Sequence, residues 1–487
     1  MKSDKTMNFL TIAFITFISF ILFFFRLGNT ALTNWDEAWF GSVAQNMAES
    51  GNILAGKWNG QIFFYEPPLL VWLLKATIKL FGESEFWLRS VSAISGVFTV
   101  IGCYILAKQI SKSKLAGILA SLVILSDIEI LFRSRQINVE ILLTVLLLWS
   151  IIFAVKAYEA KKIIWIISSA ICLGLAFLTK RASPLLALPA IGYLFFSSLT
   201  REAGSRSAGR VPLFIFFITF TIVISPWYLL SYLKWGDQFI NEFFIGYTFN
   251  KIKSVNASVG TSPFFYLNSL KHAFKLWTLL IPLAAVWGTL KAFRDRKIAG
   301  LMIFILTFLI LLTAAPIKSS WFLLPIHPII AVILGIFLYS CLKRPGLASQ
   351  GRALLNKYLV FAGLSLIFVI ATYQLYHYRR DYIVPDTTNN QAVISRLAGS
   401  LSENGKSIYL DDEYLPVAVF YSRKNVIPLR FSRTENRIPS LVDIPEGSLV
   451  LTNLGTYPVL KSATGIIFED MFAVGDMLLV RSLGIRI

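Results

Sequence analysis

Repeated runs of about 20 apolar residues, the length a helix needs to cross a bilayer, dominate this sequence. Eleven such runs, some a little short, lie near residues 8–27, 91–108, 115–132, 141–157, 163–179, 184–198, 211–232, 274–291, 299–315, 321–341 and 355–375. Of the 487 residues, 56% are hydrophobic and 15% are charged, whereas an average soluble domain has roughly 25% charged residues. This balance excludes a disordered chain and argues against an ordinary soluble enzyme. We therefore expect a polytopic α-helical membrane protein with about 11 transmembrane helices.

The Lys and Arg residues predict how these helices are threaded. The formal charge of +19 lies in short clusters between the apolar runs, as the positive-inside rule expects. Nucleic acid is therefore not expected as a partner, because no single basic face is formed. With Lys2 and Lys5 in the cytoplasm, the clusters fall on the connections 108–114, 156–162, 201–210, 291–297 and 343–357. The long connections 28–90 and 233–273 and the C-terminal tail then face outward from the inner (plasma) membrane.

The composition changes after about residue 376. Short β-rich runs recur at Ser407–Leu410, Ser448–Leu451, Gly465–Phe468 and Met477–Val480. Between the first two, Leu415, Val419 and Phe420 have helical spacing. The sequence therefore predicts a transmembrane domain over residues 1–375 and a small extracytoplasmic α/β domain over residues 376–487.

Acidic residues in the outward loops are candidates for chemistry, because charge beside a membrane is costly. Asp36 and Glu37 follow the first helix directly, among Trp35 and Trp39. One carboxylate could act as a base and the other could orient substrate, although Asp36 could equally be a helix N-cap. Glu66 precedes two prolines at a helix start, where it could position substrate or only stabilise that helix.

Basic residues on the outward side are a second signal. Arg133 and Arg135 end the third helix before Glu140 opens the fourth, and they could position substrate or reach to the interface as snorkelling side chains. Lys180-Arg181 and Lys318 lie outside against the topological bias, which indicates an anion such as a lipid phosphate. No catalytic triad pattern and no Gly-rich phosphate loop is visible, so a soluble nucleotide-sugar donor is disfavoured.

These motifs resemble the GT-C glycosyltransferases that use polyprenyl-phosphate sugars, the group of the protein O-mannosyltransferases and the lipid A aminoarabinose transferases. The matching segments are Asn34–Ala38, Met47–Asn52, Trp58–Gly60, Tyr65–Trp72, Phe81–Phe86, Arg89, Leu173–Lys180, Pro226–Tyr228, Asn241–Phe244 and Lys318–Pro325. The resemblance covers most of residues 10–340 in the same order, whereas the tail matches only in general character.

The resemblance implies a GT-C fold and transfer of a hexose, pentose or amino sugar, with inversion, from polyprenyl phosphate to an extracytoplasmic lipid, glycan or protein. Asp36 and Glu37 correspond to the family's acidic pair, Glu140 stands where relatives have Asp, and Lys180 corresponds to the family's basic residue. We expect Asp36 to be the base, with Glu37 and Glu140 orienting substrate. If a divalent metal ion takes part, which the sequence leaves unknown, Asp36 and Glu140 would be its ligands.

Two departures from the family pattern bear on the donor and on the subgroup. Family members often have Lys after the glutamate of the first loop, but Pro67 follows Glu66 here, so Lys180, Arg181 or Lys318 is expected to bind the donor phosphate. Many relatives also have Glu-His where this chain has Gly246-Tyr247.

Two alternatives remain open at this point. The first is a transporter or flippase for lipid-linked sugars, although repeated halves and helices broken at the midplane are not visible in the sequence. The second is a non-catalytic protein of envelope assembly, which would tolerate loss of the Asp36-Glu37 pair.

Overall fold

A computed structural model describes residues 2–199, 210–246, 262, 264–343, 365–366, 368–373, 376, 388–403, 406–411, 415–429 and 444–485. The chain divides into two compact units. The helical unit comprises residues 1–25, 64–69 and 90–383, and the mixed unit comprises residues 26–63, 70–89 and 384–487. The eleventh predicted apolar run, near 355–375, lies largely outside the described residues.

The described helices follow in chain order. They are α1 Lys2–Phe24, α2 Asp36–Ser50, α3 Leu69–Phe81, α4 Glu85–Ser111, α5 Lys114–Leu125, α6 Ile128–Arg133, α7 Val139–Ala160, α8 Ile163–Phe177, α9 Leu188–Leu199, α10 Arg210–Trp235, α11 Asp237–Phe239, α12 Phe265–Phe274, α13 Ile281–Ala292, α14 Arg296–Ala314, α15 His327–Leu342, α16 Thr388–Leu401, α17 Leu415–Ser422 and α18 Tyr457–Thr464. Short 3-10 segments occur at Ser183–Ala187, Lys275–Leu279 and Ser320–Ile326, and a π-helical segment at Ile240–Gly246.

Five helices in the described part of the chain are long and apolar enough to cross a membrane. They are α4, α7, α10 from Pro212, α14, and the stretch Ser320–Leu342 that ends in α15. A sixth results if Phe265–Leu279 and Ile281–Ala292, which meet at an angle of 83°, form one span. Shorter apolar helices lie at Asn8–Phe24, Lys114–Leu125, Ile163–Phe177 and Ser183–Ser197. Each of the ten predicted runs before residue 342 overlaps one of these helices, and the total of eleven crossings stays a prediction.

Local chemistry explains why some predicted runs are interrupted. The run near 115–132 breaks at Asp127, whose carboxylate caps α6 by accepting a hydrogen bond from the N–H of Ile130 at 3.0 Å. Pro282 lies in the first turn of α13, where a proline needs no amide hydrogen. Pro325 likewise interrupts the last of these runs, which begins as a 3-10 segment.

Small side chains let helices of the helical unit approach closely. α5 packs against α15, where a Cβ added to Gly335 would lie 2.6 Å from the backbone nitrogen of Ala120. α7 packs against α8, where Ser150 and Ser169 each donate a hydroxyl hydrogen bond to the other's carbonyl at 2.9 Å. Such contacts are typical of helices that associate within a bilayer.

The mixed unit contains a hairpin and a five-stranded sheet. The hairpin joins β1 Lys57–Trp58 to β2 Gln61–Ile62. The sheet has the order β4-β3-β5-β7-β6, in which β3 is parallel to β4 and β5 while β7 is antiparallel to β5 and β6. Its strands are β3 Ile408–Leu410, β4 Val426–Pro428, β5 Leu449–Asn453, β6 Ile466–Val474 and β7 Met477–Ile485. Apolar side chains of α16 and α17 form a core with β3, β5 and β7.

Most of the predicted outward loop 28–90 lies in the same unit as the C-terminal residues, whereas the sequence assigned this loop to the transmembrane domain. The hydroxyl of Tyr421 on α17 accepts a hydrogen bond from the N–H of Leu32 at 2.7 Å and donates one to Glu85 at 3.0 Å. The side chain of Asn59 exchanges two hydrogen bonds of 2.8 Å with the backbone of Val426. These polar contacts join residues that are far apart in the sequence, so no local pattern predicts them. They explain why the structure divides the chain differently from the sequence prediction.

Candidate active site

Glu140 and Lys180, both predicted from the sequence, form an ion pair in the helical unit. Glu140 lies in the first turn of α7, after Asn138 has capped that helix by accepting from the N–H of Glu140 at 2.9 Å. Lys180 follows the end of α8, and its ammonium donates to the Glu140 carboxylate and lies 4.7 Å from the centre of the Phe322 ring. Both side chains are largely buried, so the pair is shielded from water.

Arg181 connects two further predicted elements of the helical unit. Its Nε lies 3.9 Å from the carboxylate of Glu66, and its terminal nitrogens donate to the carbonyls of Tyr65 and Phe243. The guanidinium also lies 4.6 Å from the centre of the Phe243 ring. Two adjacent cations at the end of α8 are therefore each held beside a buried carboxylate.

Arg133 and Lys318 have more local contacts in the same unit. The Nε of Arg133 lies 3.3 Å from Glu129, one turn earlier, and its guanidinium lies 5.1 Å from the ring of Trp321. Lys318 donates to the carbonyl of Ala315 at 3.1 Å. Their predicted roles toward substrate and phosphate stay predictions.

Arg135 caps the C-terminal end of helix α1. It donates hydrogen bonds to the carbonyls of Leu22, Phe23 and Phe25 at 3.0, 3.2 and 2.8 Å. These carbonyls belong to the helix end that has no intrahelical partners. This C-terminal capping was not predicted, since sequence gives no sign of contacts more than 100 positions apart.

The mixed unit separates the predicted acidic pair. Asp36 is the exposed first residue of α2, and the N-cap position is occupied by Trp35, so Asp36 is not the N-cap. Glu37 is 1% exposed, and its two carboxylate oxygens accept from Nε and Nη2 of Arg89, both at 2.8 Å. Glu37 is therefore an internal anchor in the structure, and its predicted catalytic role stays a prediction.

Arg89 is a site residue that the sequence matched to the family without giving it a role. Besides Glu37, it donates to the carbonyls of Leu27, Thr30 and Ala31 at 3.0, 2.9 and 2.8 Å. One buried guanidinium thus fixes the turn that leads to Asp36. The available signal was an arginine near the start of a predicted membrane span, where a charge needs a partner.

The sequence also did not predict a buried pair formed by Asp127 and His327. Nδ1 of His327 lies 2.9 Å from the carboxylate of Asp127, and both side chains are almost completely buried. His327 is the first residue of α15. Asp127, an acid within an apolar run, was the signal that could have revealed its partner.

No group of three His, Cys, Asp or Glu side chains that could hold a metal ion occurs among the residues that the structure describes. Asp36 and Glu140 belong to different units, and Glu140 is bound to Lys180. Their service as metal ligands stays a prediction.

This chain is similar in sequence and in fold to known glycosyltransferases. A family model described as dolichyl-phosphate-mannose-protein mannosyltransferase matches residues 65–229. The crystal structure of ArnT from Cupriavidus metallidurans bound to undecaprenyl phosphate superposes with a TM-score of 0.74 at 16% identity, over 96% of this chain and 97% of that one. This chain has the fold of ArnT.

Two further proteins show the same likeness. The oligosaccharyltransferase of Archaeoglobus fulgidus gives a TM-score of 0.56 at 12% identity, over 96% of this chain and 73% of that one. An undecaprenyl phosphate-alpha-4-amino-4-deoxy-L-arabinose arabinosyl transferase of Pseudomonas savastanoi is 28% identical over 349 residues, which are 69% of this chain. The chain spans 62% of the length of that relative. The predicted resemblance to the GT-C glycosyltransferases is thus confirmed.

Proposed function

We propose that this GT-C protein is a glycosyltransferase that moves a sugar from a polyprenyl-phosphate donor to an extracytoplasmic acceptor. The observation that carries the proposal is the pair of adjacent cations, Lys180 and Arg181, held at the end of α8 by Glu140 and Glu66. Charges near a membrane are costly and mark functional sites. The family match over residues 65–229 includes all four of these side chains.

The reaction makes these cations useful. The donor is a phosphodiester with one negative charge, and breaking its bond to the anomeric carbon leaves a phosphate monoester with a second negative charge. Fixed cations that stabilise charge as it develops lower the barrier, because they need no reorganisation during the reaction. Lys180 and Arg181 are proposed to bind the phosphate, with Lys318 as a further candidate.

The acceptor side needs a base. The acceptor hydroxyl oxygen bonds to the anomeric carbon as the carbon–oxygen bond to phosphate breaks, and its proton passes to a carboxylate. A single displacement of this kind inverts the anomeric carbon. Asp36 is proposed for this role because it is exposed at the start of α2, whereas Glu37 is engaged by Arg89.

The names of the relatives support a donor class. The Pseudomonas proteins are named for undecaprenyl phosphate-linked 4-amino-4-deoxy-L-arabinose, so this lipid is the first donor to test. The proposed location is the inner membrane with the site on its outer face, where a lipid A, glycan or protein hydroxyl would be the acceptor.

The test uses the purified full chain in nanodiscs with a panel of undecaprenyl-phosphate sugars and an envelope extract as acceptor. Mass spectrometry measures sugar transfer and release of undecaprenyl phosphate. Lys180→Ala should lower donor kcat/KM by about 100-fold, the scale of losing one electrostatic contact to the reacting group. Lys162→Ala, which removes an exposed lysine between α7 and α8, is the matched control and should leave kcat/KM unchanged.

Two results would contradict the proposal. Equal donor use by the Lys180→Ala variant and the wild type would remove Lys180 from the phosphate site. Movement of lipid-linked sugar across vesicle membranes without any transfer would instead establish the transporter alternative.

A further inference from the structure

Trp35 has a backbone conformation that ordinarily requires glycine. Its φ is 62° and its ψ is −114°, directly before helix α2. In this region of backbone space a Cβ is crowded, so residues other than glycine rarely occupy it. Gly236 adopts nearly the same conformation before α11, with φ 50° and ψ −127°. Lys275 shares this conformation, with φ 47° and ψ −116°, so among these three positions the chain has glycine at one, a lysine at another and its largest side chain at the third.

The packing of the indole does little to offset this backbone strain. Trp35 is 59% exposed. Its described ring contact is an edge-on approach to Trp39 with 6.3 Å between centres. Trp39 is itself enclosed, with ring centres of Trp58 and Phe63 both 5.4 Å away. The fold therefore packs the half-buried Trp39 among other rings and leaves Trp35 exposed.

The turn that carries Trp35 is rigidly supported. The buried Glu37 carboxylate accepts from the backbone N–H and the hydroxyl of Thr33 at 2.8 and 2.9 Å while it is held by Arg89. The carbonyl of Trp35 accepts from the N–H of Trp39 at 2.7 Å. Backbone strain persists where surrounding structure enforces it, and it is concentrated at sites that bind or react.

We propose that the exposed indole of Trp35 is a platform for a saccharide ring beside the Asp36 carboxylate. One face of a pyranose or furanose carries mostly C–H groups and packs on an aromatic plane, while its hydroxyls bind to neighbouring polar groups. Asp36 is exposed and adjacent in the sequence, so one turn presents both an apolar plane and a hydrogen-bond acceptor. The proposal rests on the proposed function and names Trp35 as a residue that positions sugar for it.

The competing explanation is an aromatic anchor at the membrane surface. Tryptophan is enriched at both interfaces of a bilayer, and Trp35 follows the apolar helix α1 closely. An anchor needs only burial among lipid headgroups, so it gives no reason for a glycine-like backbone in a rigid turn. The two explanations differ in what the indole contacts, and this can be measured.

The first experiment separates strain from function. W35G removes the indole and relieves the backbone, so the full chain should unfold at the same or a higher temperature while kcat/KM for sugar transfer falls about 10-fold or more, as for a tryptophan at the centre of a binding site. W35F keeps an aromatic plane and should recover most of the activity. K275G is the matched control, because Lys275 has φ 47° and ψ −116° and would be relieved in the same way without loss of activity.

The second experiment does not depend on catalysis. The full chain labelled with 5-fluorotryptophan in nanodiscs gives a 19F signal for Trp35, assigned by its absence in W35F. Titration with methyl 4-amino-4-deoxy-L-arabinoside and with methyl mannoside should shift this signal, and D36N should weaken the shift. Nanodiscs containing spin-labelled lipid should leave the signal sharp.

These results separate the two proposals. A shift by saccharide in a chain that transfers no sugar would refute the proposed function and keep the platform. Normal transfer by W35G, or an active chain whose Trp35 signal ignores saccharide, would overturn the platform. Broadening by spin-labelled lipid without a saccharide shift would establish the membrane anchor in its place.

Discussion

At the scale of single residues, neighbouring carboxylates have been given different environments. Asp36 is exposed, whereas Glu37 is buried and bound at both oxygens by Arg89. Breaking a buried ion pair by neutralising one partner leaves an uncompensated charge and typically costs about 3–5 kcal/mol. An exposed carboxylate has no such penalty. Substitution of these two residues should therefore damage the protein in different ways.

Asp36→Asn should reduce sugar transfer by about 10²–10⁴-fold, the usual contribution of a general base, with little change in the unfolding temperature. Glu37→Gln should lower the unfolding free energy by about 3–5 kcal/mol because Arg89 loses its counter-charge. Transfer kinetics and thermal unfolding of both variants measure this difference. A stable, fully active Asp36→Asn variant would move the base to another carboxylate.

Sequence reasoning identified most of the ionic residues but not their partners. Glu140, Lys180, Glu66 and Arg181 were selected because charge beside a membrane demands a reason, and the structure joins them in pairs. Their pairing could not be predicted, since it depends on how α7 and α8 pack. Arg135 was predicted to position substrate, but in the structure it binds the end of α1. This contact could not be predicted for the same reason, because local patterns carry no information on distant contacts.

At the scale of elements, two helices can pack closely where one of them has glycine, which has no side chain, at the contact. α5 and α15 approach so closely at Gly335 that a methyl group there would meet the backbone of α5. Gly192 on α9, by contrast, has open space around the position of a Cβ. The two glycines make a matched pair, since both are in helices of the helical unit.

Gly335→Ala should lower stability by about 1–3 kcal/mol because the overpacked helices must separate. Gly192→Ala should be neutral or stabilising by up to about 1 kcal/mol, because alanine restricts the unfolded chain. Thermal unfolding in the same detergent compares the two variants. Equal effects would show that the contact between α5 and α15 is looser than described.

Helix α17 provides a pH-dependent test of the mixed unit. Burial, and then the nearby charge of Glu85, raise the pKa of Tyr421 above its ordinary value. The folded protein therefore keeps the phenolic proton at a pH where the unfolded chain has released it. This contribution to stability is complete below about pH 10, the ordinary value for tyrosine, and is lost as pH rises further.

Thermal unfolding of the wild type between pH 8 and about 11 should accordingly show a steeper loss of stability than that of Tyr421→Phe. At pH 8 the variant should already be less stable by about 1–3 kcal/mol, because the buried N–H of Leu32 loses its acceptor. Tyr232→Phe, a half-exposed tyrosine of α10, serves as the control. Parallel pH profiles for all three proteins would contradict the argument.

At the scale of the whole molecule, charge patterning predicts the orientation. Residues 28–90 and the C-terminal tail are expected outside, and the lysines between α7 and α8 inside. Single cysteines at Ser50 and Ser462, in a background without the three native cysteines, should react with an impermeant maleimide on intact cells. A cysteine at Lys162 should react only after permeabilisation. The reverse pattern would invert the topology and the proposed face of catalysis.

Periodicity predicted the apolar helices, whereas the two compact units of the structure join segments from both sides of the predicted boundary near residue 376. Apolar runs of helical length are a local property, so ten of them overlap helices of the structure. The four predicted β-rich runs overlap β3, β5, β6 and β7, whereas the short β4 at Val426–Pro428 was missed. Joining of residues 26–63 and 70–89 with the tail rests on contacts such as that of Leu32 with Tyr421, 389 positions apart.

That separation has a consequence for the order of events during synthesis. At about 5–20 residues per second, a ribosome needs roughly 20–80 s to reach Tyr421 after Leu32 has been made. Glu37 and Arg89 are only 52 positions apart and can pair early, but β7, an inner strand of the sheet, is made after the other strands that the structure describes. During synthesis, residues 26–63 and 70–89 of the mixed unit are therefore made well before the C-terminal residues that they contact. A cell that makes this protein needs a way to shield the apolar surfaces of those early segments until β7 has been made.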